Sequence, residues 1–120
     1  MSLDLDIFRI QGAIVVRCSG RIVFGDESDE LRRTILSLLG ESKQLVLNLA
    51  WVAHIDSTGL GTLVASFISA THHGGEIKLA GLSPLSERLL KTTNLDRLFD
   101  VYRSSEEAVE SFLTQRQATG

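Results

Sequence analysis

The sequence predicts a single α/β domain with a small mixed β-sheet: an N-terminal hairpin, then alternating strands and helices, with about four helices packed on the sheet. Three observations carry this expectation. Two apolar-rich segments flank the turn signal Gln11-Gly12. The strongest apolar run, "QLVLNLAWV" over 44–52, is nearly continuous, as in a strand buried on both faces. The segments between and after these place apolar residues at helical spacing, so strands and helices alternate and the sheet is largely parallel. The 120 residues suffice for one core, and no linker, repeat or second domain interrupts 1–120.

Each element has its own signal. "LDIFRI" and "AIVVRC" form the hairpin. A loop follows Gly20. In "DESDELRRTILSLLG", Leu31, Ile35, Leu38 and Leu39 recur at helical spacing, and Asp26, Glu27 and Asp29 load the first turn with charge that the helix dipole favours. Gly40 marks the stop. After the 44–52 strand, Leu60, Leu63, Val64, Phe67 and Ile68 mark a second helix, ending near "HHGG" at 72–75. "EIKLAG" is a short alternating strand. "SPLSERLLKTTN" opens a third helix with Ser83 as cap and Pro84 at its first position. "LFDVY" is the last strand. Ser104 with Glu107 three residues later makes a capping box for a last helix striped by Val109, Phe112 and Leu113. Residues 114–120 read as a flexible tail.

Composition narrows the function. Net charge is -3 with no basic cluster, which gives no electrostatic case for direct nucleic-acid binding or for an anionic membrane. No stretch approaches transmembrane length, and the N-terminal segment lacks signal-peptide features, so a cytoplasmic location is expected without membrane insertion. The single cysteine, Cys18, excludes an intrachain disulfide and a cysteine-based zinc site. Three histidines without an HxxxH spacing make no metal motif. No cofactor and no metal are expected.

The chemistry-bearing residues gather in "HIDSTGLG" over 54–61, where a strand hands over to a helix. The plain reading is a tight turn in which Ser57 or Thr58 caps the helix and Gly59 and Gly61 permit close packing. A nucleotide site lacks both GxGxxG and the P-loop lysine. A hydrolase lacks the glycine two before Ser57, and an extended chain points His54 and Ser57 to opposite faces. No catalytic residue is assigned. A phosphorylatable serine is the remaining reading beside the plain turn. At a helix start it is exposed, and the positive helix end tolerates a group that adds about -1.5 to -2 charge.

The segment "LVLNLAWVAHIDSTGLGTLVASF" closely resembles the signature of STAS-domain proteins, the bacterial anti-sigma factor antagonists. "GGEIKLAGLSPLSERLLKTTNLDRLFDVYRSSEEAVESF" is similar to the family's second half, so the resemblance covers nearly the whole chain. It implies a small sheet with packed helices and a cycle of partner switching. Ser57 is then the phosphoacceptor, and Asp56 shapes the site and meets the partner. Thr58 is the adjacent hydroxyl, and Gly59 and Gly61 keep the turn compact at the interface. The implied partners are an anti-sigma factor with serine kinase activity, which uses ATP and magnesium, and a PP2C-type phosphatase that restores the hydroxyl. The domain itself catalyses nothing.

One loop departs from the family pattern. In "GRIVFGDESDELRR", residues 20–33, Arg21 stands where the family carries an acid and Val23 where it carries aspartate. The loop is expected near the Ser57 turn, which makes Arg21 and Phe24 candidate partner contacts. Solvation of Arg21 and packing of Phe24 on the first helix are the plain readings. Trp51 suits either a lid on the sheet or an interface aromatic. The departure also leaves a second function class: a non-catalytic structural subunit of a stressosome-like assembly or of a lipid-transport complex.

Overall fold

A computed structural model describes residues 3–119 of the chain, with side chains described through 115. The chain begins with the hairpin β1 (Leu3–Ile10) and β2 (Ala13–Ile22). Gln11 and Gly12 both adopt positive φ, 52° and 87°, the pairing that a two-residue hairpin turn requires. Then follow α1 (Asp26–Leu39), β3 (Gln44–Ile55), α2 (Ser57–His72), β4 (Glu76–Ala80), α3 (Pro84–Thr92), a 3-10 turn (Leu95–Arg97), β5 (Val101–Tyr102) and α4 (Ser105–Thr119). The sheet has five strands in the order β1-β2-β3-β4-β5. Only the β1–β2 pair is antiparallel. The expected α/β architecture, with its hairpin, alternating elements and four helices, is the observed one.

The two faces of the sheet carry separate cores. Ile14, Val16 and Cys18 of β2 and Leu45, Leu47 and Leu49 of β3 point toward α1, α2 and α3, meeting Leu31, Ile35, Leu39, Leu63 and Leu90. The alternate residues Ala13, Val15, Val46 and Ala80 point the other way, where α4 covers them with Ala108, Val109 and Phe112. Period-2 alternation therefore makes both sets apolar over the first half of β3, as the continuous run in the sequence anticipates. Cys18 is one of these core residues, and its burial pushes the thiol pKa up to about 12, so it is an inert apolar filler.

Several local details differ from the sequence reading. β2 runs two residues past Gly20, because the sheet register resumes after an irregularity between Gly20 and Arg21. Gly40 caps α1 in a right-handed conformation (φ -71°), so it ends the helix without using glycine's freedom. The predicted strand "LFDVY" shortens to Val101–Tyr102, because Phe99 turns into the larger core. Ser104 accepts from the Glu107 amide, the first half of the expected capping box. The flexible tail expected over 114–120 extends to residue 120, outside the described residues; α4 runs to Thr119.

Lys78 of "EIKLAG" is fully buried beneath α4, a placement on which the alternation in that segment is silent. Its ammonium donates to Ser111 Oγ at 2.6 Å and Gln115 Oε1 at 3.1 Å, with Tyr102 Oη at 3.4 Å. It lies 4.2 Å from the Phe112 ring centroid and 5.3 Å from that of Tyr102. Oxygen acceptors and ring faces thus replace water around the charge. Phe112 therefore serves both the apolar core and the cation. Replacing Phe112 with Ala is expected to destabilise the domain by about 3–5 kcal/mol, read as a shift in the urea midpoint.

Candidate functional site

β3 ends at Ile55, and the chain turns into α2 within one residue. Asp56 occupies the N-cap in an extended conformation (φ -93°, ψ -177°). Its Oδ1 accepts from the Gly59 amide, three residues on, at 2.7 Å. Its Oδ2 accepts from the Phe24 amide at 3.0 Å, in the β2–α1 connection. Its own amide donates to the Ile22 carbonyl at 3.3 Å. One aspartate thus ties the two loops that leave neighbouring parallel strands.

These bonds act on the carboxylate in turn. The Gly59 amide, followed by that of Phe24, holds the Asp56 carboxyl below its ordinary value of 3.8, with smaller help from the His54 charge and the Thr58 amide. Asp56 therefore remains an acceptor through the physiological range.

The cap is where the structure corrects the sequence reading. Ser57 or Thr58 was expected to cap α2, but Asp56 does so, because a carboxylate one residue earlier reaches the third helical amide. The Ser57 and Thr58 side chains are thereby left exposed on the first turn. The two glycines separate as well. Gly59 is buried, and a Cβ there would lie 1.9 Å from the Ile22 carbonyl oxygen and 2.7 Å from its carbon. Gly61 was expected to keep the helix start compact, but it is exposed and a Cβ on it would meet nothing within 4 Å. It stands one turn after Ser57 on the exposed side of α2.

The neighbouring loop lies beside this turn as expected. Arg21 pairs across the sheet with His54, and both are exposed. Phe24 was given packing on α1 as its plain reading, yet it is 78% exposed while its backbone is fixed by Asp56. The start of α1 is pinned by Ser28, whose hydroxyl donates to the Val23 carbonyl at 2.6 Å. Ile22 and Ser28 escaped the sequence reading: Ile22 acts through its backbone carbonyl on a turn distant in sequence, and Ser28 through a hydroxyl that reaches back from α1 to Val23 in the preceding loop. Trp51 projects from the sheet 67% exposed, so it is no lid. Among the described residues, no cluster of three His, Cys, Asp or Glu side chains could hold a metal, and no helix is long and apolar enough to cross a membrane.

Fold and site together define a small α/β module that presents an exposed serine at the capped start of a helix. The STAS domain profile matches residues 4–108, and the chain belongs to the STAS domain family. It is 32% identical over 111 residues to the anti-sigma-B factor antagonist of Bacillus subtilis strain 168, covering 92% of this chain and 100% of that protein. In three dimensions it resembles an anti-sigma factor antagonist from Mycobacterium paratuberculosis, with a TM-score of 0.78 and 24% identity over 92% of this chain and 93% of that one. It also resembles the Bacillus cell fate determinant SpoIIAA in its phosphorylated form, with a TM-score of 0.71 and 18% identity over 92% of this chain and 99% of that one.

The two glycines predict opposite signs. Gly59→Ala must displace α2 from Ile22 and is expected to destabilise the domain, whereas Gly61→Ala is expected to stabilise it by about 0.5–1 kcal/mol, the usual gain at an unhindered helix position. Paired thermal melts read both. Asp56→Ala tests the cap through pH. The folded carboxyl titrates below its unfolded value, so its contribution is full above about 3.8 and is lost as pH falls through the folded pKa. The stability gap between wild type and variant is expected to narrow over that acid window, followed by urea titrations at successive pH values.

Proposed function

We propose that this protein is an anti-sigma factor antagonist switched by phosphorylation of Ser57. The observation that supports this most is the position of Ser57: the first residue of α2, exposed, next to a cap that Asp56 already supplies. Its hydroxyl has no structural duty in the turn, so it is available to a kinase without unfolding the helix start. The likeness to the Bacillus subtilis anti-sigma-B factor antagonist supports the same reading.

The proposed cycle follows from the chemistry. With a free hydroxyl, the surface around Ser57, Thr58, Arg21 and Phe24 docks on an anti-sigma factor that is also a serine kinase, and the sigma factor is released. Gly61, one turn after Ser57, extends the same docking face, while Asp56 and the buried Gly59 hold that face in place through the cap and the close approach to Ile22. The kinase transfers the terminal phosphoryl group of ATP: a Ser57 Oγ–P bond forms, the bond to the ADP oxygen breaks, and the hydroxyl proton departs. The new dianion is tolerated by the positive end of α2. The Gly59 and Phe24 amides already serve Asp56, so the phosphate projects toward the partner, where added charge opposes docking. Hydrolysis by a PP2C-type phosphatase restores the hydroxyl. A cytoplasmic site of action accords with this cycle.

Incubation with the anti-sigma kinase and Mg-ATP, followed by tandem mass spectrometry, is expected to place one phosphate on Ser57. Ser57→Ala is expected to bind and resist labelling. Ser57→Asp is expected to keep its melting transition and lose about tenfold or more in affinity, some 1.4 kcal/mol. Labelling that persists on Thr58 in Ser57→Ala would assign the wrong hydroxyl, and equal binding by Ser57→Asp would remove the switch.

A further inference from the structure

β3 is longer than β4. The two pair only over residues 44–48 of β3, after which β4 ends at Ala80 and the chain leaves the sheet at Gly81, which has a φ of +74°. The Ala50 amide is satisfied by Asn48 Oδ1 at 3.0 Å. Beyond it, residues 51–55 have β2 on one side and, among the described residues, no strand on the other. That open edge forms one wall of a cleft of about 300 Å³, lined by Ala53, His54 and Ile55. The opposite wall is α3, with Leu85, Arg88 and Leu89.

The walls differ from those of an edge merely left at the surface. β1 forms an outer edge of the sheet too, but it carries Asp4, Asp6 and Arg9, charges of the kind that discourage strand addition. Residues 51–55 carry no Asp, Glu, Lys, Arg or Pro. The cleft holds Arg88 and His54 and no carboxylate, in a chain whose net charge is -3. Among the described residues, Arg88 is in neither of the two ion pairs. Leu85 is 68% exposed on the helical wall.

We infer that this cleft is a peptide-docking groove, in which an extended segment of a partner protein adds to the free edge of β3. The segment places an apolar side chain against Leu85 and Leu89 and a neighbouring carboxylate against Arg88. Main-chain hydrogen bonds to the open edge hold any extended segment, and the helical wall selects its side chains. Charge complementarity selects an acidic segment over a basic one. The groove is separate from the Ser57 hydroxyl, and the inference does not depend on its phosphorylation.

The test screens a phage-displayed library of random octapeptides against the full chain. Enriched sequences are expected to combine an apolar residue with Asp or Glu. A synthetic peptide of that consensus is expected to shift the backbone amide resonances of residues 51–55 and of α3, and to slow hydrogen exchange along the edge. Arg88→Glu is expected to weaken that peptide about tenfold or more, with Arg88→Gln between it and wild type. Both positions of the helical wall that the test alters, Leu85 and Arg88, are exposed, so Leu85→Asp is expected to abolish binding while preserving the circular dichroism spectrum. The inference is overturned by no enrichment above an unrelated protein, by peptide binding indifferent to Arg88→Glu and Leu85→Asp, or by amide shifts confined to β1. Sedimentation showing dimers that protect residues 51–55 would also overturn it, because a second copy would then fill the groove.

Discussion

The Asp56 carboxylate joins three parts of the chain that would otherwise be independent. It closes the first turn of α2 through Gly59, it fixes the β2–α1 loop through the Phe24 amide, and its residue's own amide reaches Ile22 at the end of β2. Every one of these bonds joins a backbone group to a short, rigid side chain or to another backbone group, so little side-chain freedom is lost in making them. The carboxylate is the better acceptor for being ionised, and the amides that it receives keep it so. The position of Ser57 follows directly, since a helix that begins at Asp56 has no other first residue.

That arrangement constrains its neighbours sterically. The α2 start approaches β2 so closely that the Ile22 carbonyl fills the space of a Cβ on Gly59. The approach is possible only at a residue without a side chain, and it brings the first turn of α2 against the end of β2. Phe24 is held by its backbone while its ring stays in water, an uncommon state for a large aromatic and one that suits an interface anchor. Support from the backbone and freedom at the side chain are what a docking surface needs. In the proposed cycle such a surface is positioned before a partner arrives, so less ordering accompanies binding.

The sheet distributes its helices unevenly. α1, α2 and α3 share one core, and α4 alone supplies the other. α4 meets this demand with Phe112 and with the polar groups that solvate Lys78. A short sheet face served by one helix also leaves part of the sheet bare, and Trp51 stands exposed there. The unequal strand lengths have a related effect, because β4 stops while β3 continues and an unpaired edge appears beside α3.

The sequence by itself determined the order of elements, the hairpin, the parallel character of the sheet and the place of the Ser57 turn. Each of these rests on local signals: alternation over β2, the continuous run of β3, Ser83 with Pro84 before α3, and a hydroxyl pair before two glycines. Only the tertiary structure decided which residue caps α2, because three hydroxyl or carboxyl side chains stood in sequence and the choice depended on reach. It also decided that Gly59 is required and Gly61 is not, since the difference lies in Ile22, distant in sequence. The burial of Lys78 was likewise decided by tertiary structure, because alternation reports which side a residue takes and not what covers that side. The open edge of β3 had no signal at all. It arises from where β4 ends, and pairing between strands is a property of two segments that neither encodes alone.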